Sequence, residues 1–244
     1  MTKSNQDKQK IRAQRSIEID RCFSEVGHYP RKMLDVGHGN GAISNYYHTK
    51  GLDVTGIEVV PAYVEMASQM YPDVKFILYD GLNFPFEDSI FDTIILNDVL
   101  EHISYEDIET VLSEVKRVLT PDGVVYISVM NRWQLIEPHT LIPLLTWLPR
   151  VAWNSVCLKV KGRGYINYWP YTRKRLHRLL SKNEFAYSDM TYIYVIHKMT
   201  GKNPVGDRMT SKLVALMNRL RLFPLAYYLA LKVSVLLYVA RKSN

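Results

Sequence analysis

Cysteine is scarce in this chain. Its two cysteines, Cys22 and Cys157, lie far apart among 244 residues, and neither belongs to a Cys-x-x-Cys pair. This usage argues against both a disulfide framework and a zinc site with the usual ligand spacing. A reducing, cytoplasmic setting fits it best.

Long uninterrupted apolar runs are also missing. The one stretch of near-membrane length, Leu222 to Ala240, contains Pro224 and the charged Lys232, and a charge at mid-span is costly in lipid. The polar N-terminus is followed by no apolar segment of signal-peptide length. We therefore expect a cytoplasmic protein without a membrane-spanning helix.

Acidic residues are outnumbered by basic ones, with 31 Lys and Arg against 24 Asp and Glu and a net charge of +7. Such an excess favours anionic partners such as phospholipid or nucleic acid. The basic residues are scattered over several segments, so we interpret them as solvated faces, and nucleic acid is not the expected partner. With 47% hydrophobic and 23% charged residues, the composition is that of one globular domain.

The chain from residue 32 to 129 alternates short apolar strands with amphipathic helices. This alternation predicts a doubly wound α/β fold with a mostly parallel sheet, right-handed crossovers and helices on both faces. Ligands of such folds bind at the carboxyl ends of the strands. The predicted strands are Lys32 to Val36, Asp53 to Ile57, Lys75 to Tyr79, Phe91 to Leu96 and Val124 to Val129, and the predicted helices are Ala42 to Lys50, Pro61 to Met70 and Tyr105 to Leu119, with a turn at Thr120 to Gly123.

The regular alternation stops at residue 131. The stretch from Asn131 to Tyr171 is rich in Trp, Pro, Leu and Tyr and is too long for a plain connector, so we predict a cap inserted over the site. Residues 1–31 are predicted to form an N-terminal helix and arm, and residues 32–244 one domain that carries the cap. Beyond the cap we predict a helix at Thr172 to Ser181, a strand at Phe185 to His197, a helix at Met209 to Arg221 and a short apolar helix at Leu222 to Leu231.

The most informative segment is MLDVGHGNGA at residues 33–42, in which Gly37, Gly39 and Gly41 follow a strand and precede a helix. A glycine-rich bend lets a ligand lie against the backbone, and the following helix offers unpaired N–H groups. Ala42 would satisfy the dinucleotide fingerprint, but Asp35 is atypical of it. The segment instead resembles the (D/E)xGxGxG signature of class I S-adenosylmethionine-dependent methyltransferases, close to the small-molecule, type 11-like branch.

This resemblance implies a three-layer fold with seven strands, the last of them antiparallel, and we assign Ser234 to Ala240 to that strand. It also implies S-adenosylmethionine as the cofactor. The glycine loop would pass under the methionine part, with Asp35 reaching toward the amino group. Glu58, 19 residues after Gly39, would bind the ribose hydroxyls, consistent with the spacing in related folds. The remaining positions implied are Asp80, Gly81 and Leu82 at the adenine and Asn97 at the methionine end.

Three residues are candidates for the general base that a protonated acceptor requires. His139 is the first choice, because it lies in the predicted cap, where an acceptor should bind. Asp98 and His102 are the others. On a helix Asp98, Glu101 and His102 would share a face, and this arrangement resembles that of quinone-biosynthesis O-methyltransferases that need a divalent ion. Metal-free relatives also carry a Glu-His pair at this place, so no metal site is predicted.

The acceptor is predicted from the cap alone. Its apolar residues would form a lid suited to an aromatic, prenylated or lipid-like small molecule, or would simply bury one another. Together with the basic clusters, the lid would also suit contact with a membrane surface. We favour O-methylation of a small apolar acceptor, with a nucleic-acid or protein methyltransferase and a non-catalytic cofactor-binding protein as alternatives. The lid residues are Trp133, Leu135, Ile136, Leu141, Ile142, Leu144, Leu145, Trp147, Leu148, Val151 and Trp153, flanked by Tyr165, Tyr168, Trp169 and Tyr171.

Overall fold

A computed structural model describes residues 15–165, 168–199 and 223–243. Its centre is a seven-stranded sheet with the order β3-β2-β1-β4-β5-β7-β6. The strands are β1 (Lys32–Val36), β2 (Asp53–Glu58), β3 (Lys75–Leu78), β4 (Phe91–Asn97), β5 (Leu119–Val129), β6 (Phe185–Asp189) and β7 (Leu236–Lys242).

The direction of each strand confirms the predicted sheet. Strands β1 to β5 pair in parallel, whereas β7 runs antiparallel to both β5 and β6. Parallel strands need crossover connections, and helices supply most of them here. The carboxyl ends of β1 to β4 consequently meet at one edge of the sheet.

Helices cover both faces of the sheet, giving three layers. Alternate strand residues point to opposite faces: Leu34 packs in the core cluster that contains Ile108 and Leu176, whereas Met33 packs with Ile19 and Ile43. The helices are α1 (described at 15–25), α2 (Ala42–His48), α3 (Pro61–Met70), α4 (Ile108–Val118), α5 (Arg150–Lys161), α6 (Arg173–Lys182), α7 (Thr191–Met199) and α8 (Phe223–Val233).

The predicted strand from Phe185 to His197 is wrong beyond Asp189. Strand β6 ends there, and α7 follows in its place. The side chain of Asp189 accepts a hydrogen bond of 2.9 Å from the backbone N–H of Thr191, which is how an acidic residue begins a helix. This local signal outweighs the β-branched and aromatic composition of the segment.

Other boundaries shift by a few residues. The predicted turn at Thr120 to Gly123 falls inside the long strand β5, next to a register irregularity opposite Phe91. The last strand begins and ends two residues later than predicted, and the short apolar helix is α8. The predicted helix at 209–221 lies outside the described residues. Within the described ranges, no helix combines the length and apolarity needed to cross a bilayer.

The segment 131–171, predicted as the cap, builds a small core of its own from Ile142, Leu145, Trp153 and Cys157. A parallel bridge between Asn131 and Tyr171 joins its two ends. Helix α5 is the main regular element between them, ending at Gly162 in the left-handed conformation. The segment is therefore anchored where it leaves and rejoins the rest of the chain.

Candidate active site

A cavity of about 860 Å³ opens at the carboxyl ends of β1 to β4. Its volume lies within the range of small-molecule sites. Eleven of the twelve residues predicted for cofactor binding or catalysis line it. They are Asp35, Gly37, Gly39, Glu58, Asp80, Gly81, Leu82, Asn97, Asp98, His102 and His139.

The glycine loop between β1 and α2 has the conformation that only glycine adopts without strain. Gly37, Gly39 and Gly41 have φ values of 67°, 56° and 75°. A Cβ atom at Gly37 would lie 2.9 Å from Cγ2 of Val99, so the loop packs directly on the chain that follows β4. A side chain here would meet both backbone strain and a steric clash.

Gly41 is the predicted residue that does not line the cavity. It lies at the N-terminus of α2, where a Cβ would come within 2.6 Å of the Phe76 ring and 3.0 Å of Ala67. Asp35 fixes the same helix, because its buried carboxylate accepts a hydrogen bond of 2.5 Å from Ser44. Gly41 thus permits close packing beneath the loop, while Gly37 and Gly39 face the cavity.

The Glu58 carboxylate organises the end of β2. It is buried and accepts hydrogen bonds from three backbone N–H groups. Gly39 donates to Oε2 at 3.1 Å, and Val59 and Val60 donate to Oε1 at 2.8 and 3.2 Å. The Glu58 side chain therefore fixes the position of the glycine loop relative to the start of α3 at the cavity wall.

The Asp80 carboxylate shapes the loop after β3. Backbone N–H groups of Leu82 and Asn83 donate to Oδ1 at 2.8 and 2.7 Å, and the Asn83 amide donates to Oδ2 at 2.6 Å. These hydrogen bonds, that of the Asn83 side chain foremost, lower the pKa of Asp80. An ionised Asp80 thereby holds Gly81 and Leu82 against the cavity.

Asp98 follows β4 in a left-handed conformation with φ of 56°, which is uncommon for a residue with a side chain. The Ser128 hydroxyl donates to Oδ1 at 2.6 Å, and Arg15 of α1 donates to Oδ2 at 3.1 Å. Burial favours the neutral acid, but Arg15 and Ser128 together hold the pKa of Asp98 below its usual value. Asp98 is already paired and ionised, so it is a poor general base.

The expected shared face of Asp98, Glu101 and His102 is not formed. A short 3₁₀ turn, Leu100–His102, replaces the helix, and Glu101 turns into the core, where its Oε1 accepts a hydrogen bond from Met130 N–H. Burial and the nearby Asp98 carboxylate raise the pKa of Glu101 to about 8. No group of three potential metal ligands occurs among the described residues.

His102, His139 and Tyr168 form a cluster of rings in the cavity wall. The His139 ring stacks on Tyr168 with a centroid distance of 3.6 Å, and the His102 ring lies 5.8 Å from the His139 ring. Burial lowers the pKa of both histidines, and the nearby His139 ring lowers the pKa of His102 further. Both rings are therefore neutral at pH 7 and able to accept a proton.

A family model described as "Methyltransferase domain" matches residues 34–127, which span the glycine loop, Glu58, Asp80 and most of β5. The sheet order and the antiparallel last strand are those expected of a methyltransferase fold, in agreement with this match. Residues 34–127 thus form a methyltransferase domain, and the findings together support a class I S-adenosylmethionine-dependent methyltransferase. The cofactor of this family is S-adenosylmethionine.

The chain is similar to methyltransferases whose names refer to menaquinone and to ubiquinone biosynthesis. It is 28% identical over 157 residues to a demethylmenaquinone methyltransferase of Chlorobaculum tepidum, covering 64% of this chain and 54% of that protein. It is 29% identical over 130 residues to a ubiquinone biosynthesis O-methyltransferase of Pasteurella multocida, covering 43% and 50%. The chain thus spans about half the length of these curated relatives.

A solved structure shows the same fold. The 1,6-didemethyltoxoflavin-N1-methyltransferase of Burkholderia thailandensis, crystallised with 1,6-didemethyltoxoflavin and S-adenosylhomocysteine, matches with a TM-score of 0.53 at 19% identity. The match covers 93% of this methyltransferase and 77% of that chain.

Several residues of the cavity wall were not predicted for the site from the sequence, and two of them, Arg15 and Tyr168, contact the predicted residues Asp98 and His139. Arg15 occupies the apolar face of α1 with Ile19 and Cys22, and a charge on such a face is a detectable sign of a buried partner. Tyr168 was predicted only as a lid residue. The apolar lid itself is not formed as expected, since His139 and Tyr168 are the described cap residues that line the cavity.

Proposed function

We propose that this chain transfers a methyl group from S-adenosylmethionine to oxygen of a small apolar molecule. The observation that carries the proposal is one continuous cavity, which joins the glycine loop, Glu58 and Asp80 to the histidine pair His102 and His139. The first three features suit a nucleoside bearing an amino acid, and the histidines suit an acceptor that loses a proton.

In this proposal each strand end binds one part of the cofactor. The Glu58 carboxylate accepts hydrogen bonds from the ribose hydroxyls, and the loop from Asp80 to Leu82 borders the adenine. The backbone at Gly37, Gly39 and Asn97 lies along the methionine part, with Asp35 toward its amino group. Gly41 acts beneath the loop by allowing α2 to approach Phe76.

The chemistry of the cavity supports a cationic cofactor. Five carboxylates line it, from Asp35, Glu58, Asp80, Asp98 and Asp107, and together they favour positive charge. Gly37 and Gly39 line the cavity, and a backbone without side chains lets a ligand lie directly against it. When bound, S-adenosylmethionine supplies a methyl group activated by its sulfonium.

Catalysis by the chain then consists of alignment, exclusion of water and removal of one proton. Alignment of acceptor and donor supplies a large share of the rate. His139 takes the acceptor's proton, because its ring is held by Tyr168 at 3.6 Å and burial keeps it neutral. Residues 131–171 act as a cap that carries His139 to the cavity.

Replacement of His139 with asparagine is expected to lower kcat about 100-fold or more, the usual contribution of a general base. In the parent, the rate should fall as pH decreases through the lowered pKa of His139, because protonation removes the base. The midpoint of this acid limb should lie below the ordinary histidine value of about 6.5. Initial rates between pH 5 and 8 measure both effects.

The same profile measured on His102→Asn is the matched control. Loss of the acid limb in His102→Asn and its retention in His139→Asn would transfer the role to His102. If both variants kept the parent's kcat and the acid limb of its pH profile, neither histidine would act as the base. The proposal that His139 deprotonates a hydroxyl acceptor would then be wrong.

The acceptor class is tested with S-adenosylmethionine labelled on the methyl group and a panel of prenylated and unprenylated hydroquinones and phenols. Label should enter the apolar hydroxyl compounds, and mass spectrometry should locate it on oxygen. Label found in added protein or nucleic acid instead would favour the alternative methyltransferase classes. Cofactor binding without transfer to any of them would favour a non-catalytic binding protein.

The outer surface of the cap supports an acceptor dissolved in lipid. Large apolar side chains stand exposed there: Val151 by 88% and Leu158 by 50%, seven residues apart on one face of α5, and Leu141 by 66%. Lys159, Lys161 and Arg163 follow in the sequence at the end of α5. Exposed apolar side chains together with positive charge suit an anionic membrane, and we propose that the cap rests on one.

Vesicles containing anionic phospholipid should therefore sediment the parent protein, and raised salt should weaken the association. The double substitution Val151→Asp and Leu158→Asp should reduce the bound fraction several-fold, since it places charge on the exposed apolar face of α5. Tyr29→Asp, at a residue 84% exposed outside the cap, is the matched control and should bind like the parent. Equal sedimentation of all three proteins would contradict membrane contact through the cap.

A further inference from the structure

The cavity contains one fixed positive charge. Of the described residues that line it, Arg15 is the single Arg or Lys, against five Asp and Glu. The amino acid end of the proposed cofactor carries a carboxylate as well as an ammonium group. A carboxylate that leaves water for a cavity rich in carboxylates needs a cationic partner.

Arg15 lies at the end of the cavity where that carboxylate would be. Its Nη2 donates to Oδ2 of Asp98 at 3.1 Å. The next residue, Val99, packs against Gly37, where a Cβ would lie 2.9 Å from Cγ2 of Val99. The guanidinium is therefore adjacent to the chain segment that packs under the glycine loop. This is the region assigned above to the methionine part.

Two ion pairs and a ring contact hold the Arg15 guanidinium in place and use only some of its N–H donors. Nη1 donates to Oε2 of Glu18 at 3.1 Å, and the guanidinium carbon lies 5.6 Å from the centre of the Tyr194 ring on α7. The exposed fraction of the Arg15 side chain is 21%. A guanidinium has five N–H donors, so the two ion pairs, with Glu18 and Asp98, leave others for a third carboxylate.

We propose that Arg15 binds the carboxylate of the cofactor's amino acid end, so that helix α1 forms one wall of the cofactor site. This inference rests on the proposed binding of S-adenosylmethionine. Asp98, bridged to Arg15 and Ser128, acts as a positioning residue for the guanidinium. The 1–31 segment thereby contributes to ligand binding as well as to packing.

Three ligands test the inference by calorimetry on the full chain. S-adenosylhomocysteine has the carboxylate, its decarboxylated analogue lacks only that group, and 5′-methylthioadenosine lacks the whole amino acid end. The parent should bind S-adenosylhomocysteine about 10- to 100-fold more tightly than the decarboxylated analogue. Arg15→Met should reduce this ratio to near one and leave the affinity for 5′-methylthioadenosine unchanged.

Arg15→Lys keeps the charge and should show an intermediate ratio, and it serves if Arg15→Met does not fold. A purely structural role for Arg15 would weaken all three ligands alike and preserve the ratio, which would overturn the inference. A parent that does not distinguish the decarboxylated analogue would overturn it too. Failure of the parent to bind any of the three ligands would instead count against the proposed function.

Discussion

Glu58→Ala is expected to lower the affinity for S-adenosylhomocysteine by at least about 100-fold. Two hydrogen bonds from ribose hydroxyls to a buried carboxylate contribute about 1.5–3 kcal/mol each, which already corresponds to this factor. The substitution also removes the acceptor for the N–H groups of Gly39, Val59 and Val60. The glycine loop thus loses its fixed relation to β2 when the ribose loses its partner.

Calorimetric titration measures the affinity, and circular dichroism establishes that the variant is folded. Glu58→Gln keeps one oxygen acceptor and should lie between Glu58→Ala and the parent. Glu65→Ala is the control for charge, because Glu65 lies on α3 and contacts Gln69 at the surface. If a folded Glu58→Ala protein bound S-adenosylhomocysteine as Glu65→Ala does, the ribose site would be misassigned.

Gly41→Ala is expected to lower the free energy of unfolding by about 2–4 kcal/mol. A left-handed backbone costs about 1 kcal/mol for a residue with a Cβ, and an added methyl in a packed interior costs about 1–3 kcal/mol more. Both apply here, because φ is 75° and the Cβ would lie 2.6 Å from the Phe76 ring. Urea denaturation at constant pH measures the change.

Gly51→Ala separates the two contributions. Its φ is 87°, yet nothing lies within 4 Å of its Cβ position, so it should lose only about 1 kcal/mol. Equal losses in the two variants would show that backbone conformation alone makes Gly41 necessary. The close packing of α2 on Phe76 would then contribute nothing measurable.

The parallel half of the fold could be predicted from the sequence because its elements are locally determined. Strand β1 and helix α3 have the predicted bounds, since an apolar run and a proline at the first helical turn define them without distant contacts. Helix α7 was missed because its sequence favours a strand by composition. The hydrogen bond from the Thr191 N–H to Asp189 marks the start of the helix, and it becomes visible only in the structure.

The candidate site likewise contains residues that the sequence predicted and residues that it did not. Glu58 and Asp80 end strands of a parallel sheet, so the topology alone brings them to one edge, and the sequence indicated their place. Arg15 and Tyr168 reach the same cavity from α1 and from residues 131–171, through tertiary packing that no spacing rule describes. The apolar cap residues were expected to face inward, but many of them face solvent.

A crystal structure of the full chain with S-adenosylhomocysteine would show where each part of the cofactor binds. We expect the ribose hydroxyls within hydrogen-bond distance of Glu58, the adenine beside Gly81 and Leu82, and the carboxylate on Arg15. The sulfur should point toward His139. Binding of the ligand elsewhere, or in this cavity with the ribose away from Glu58, would contradict the proposed cofactor site.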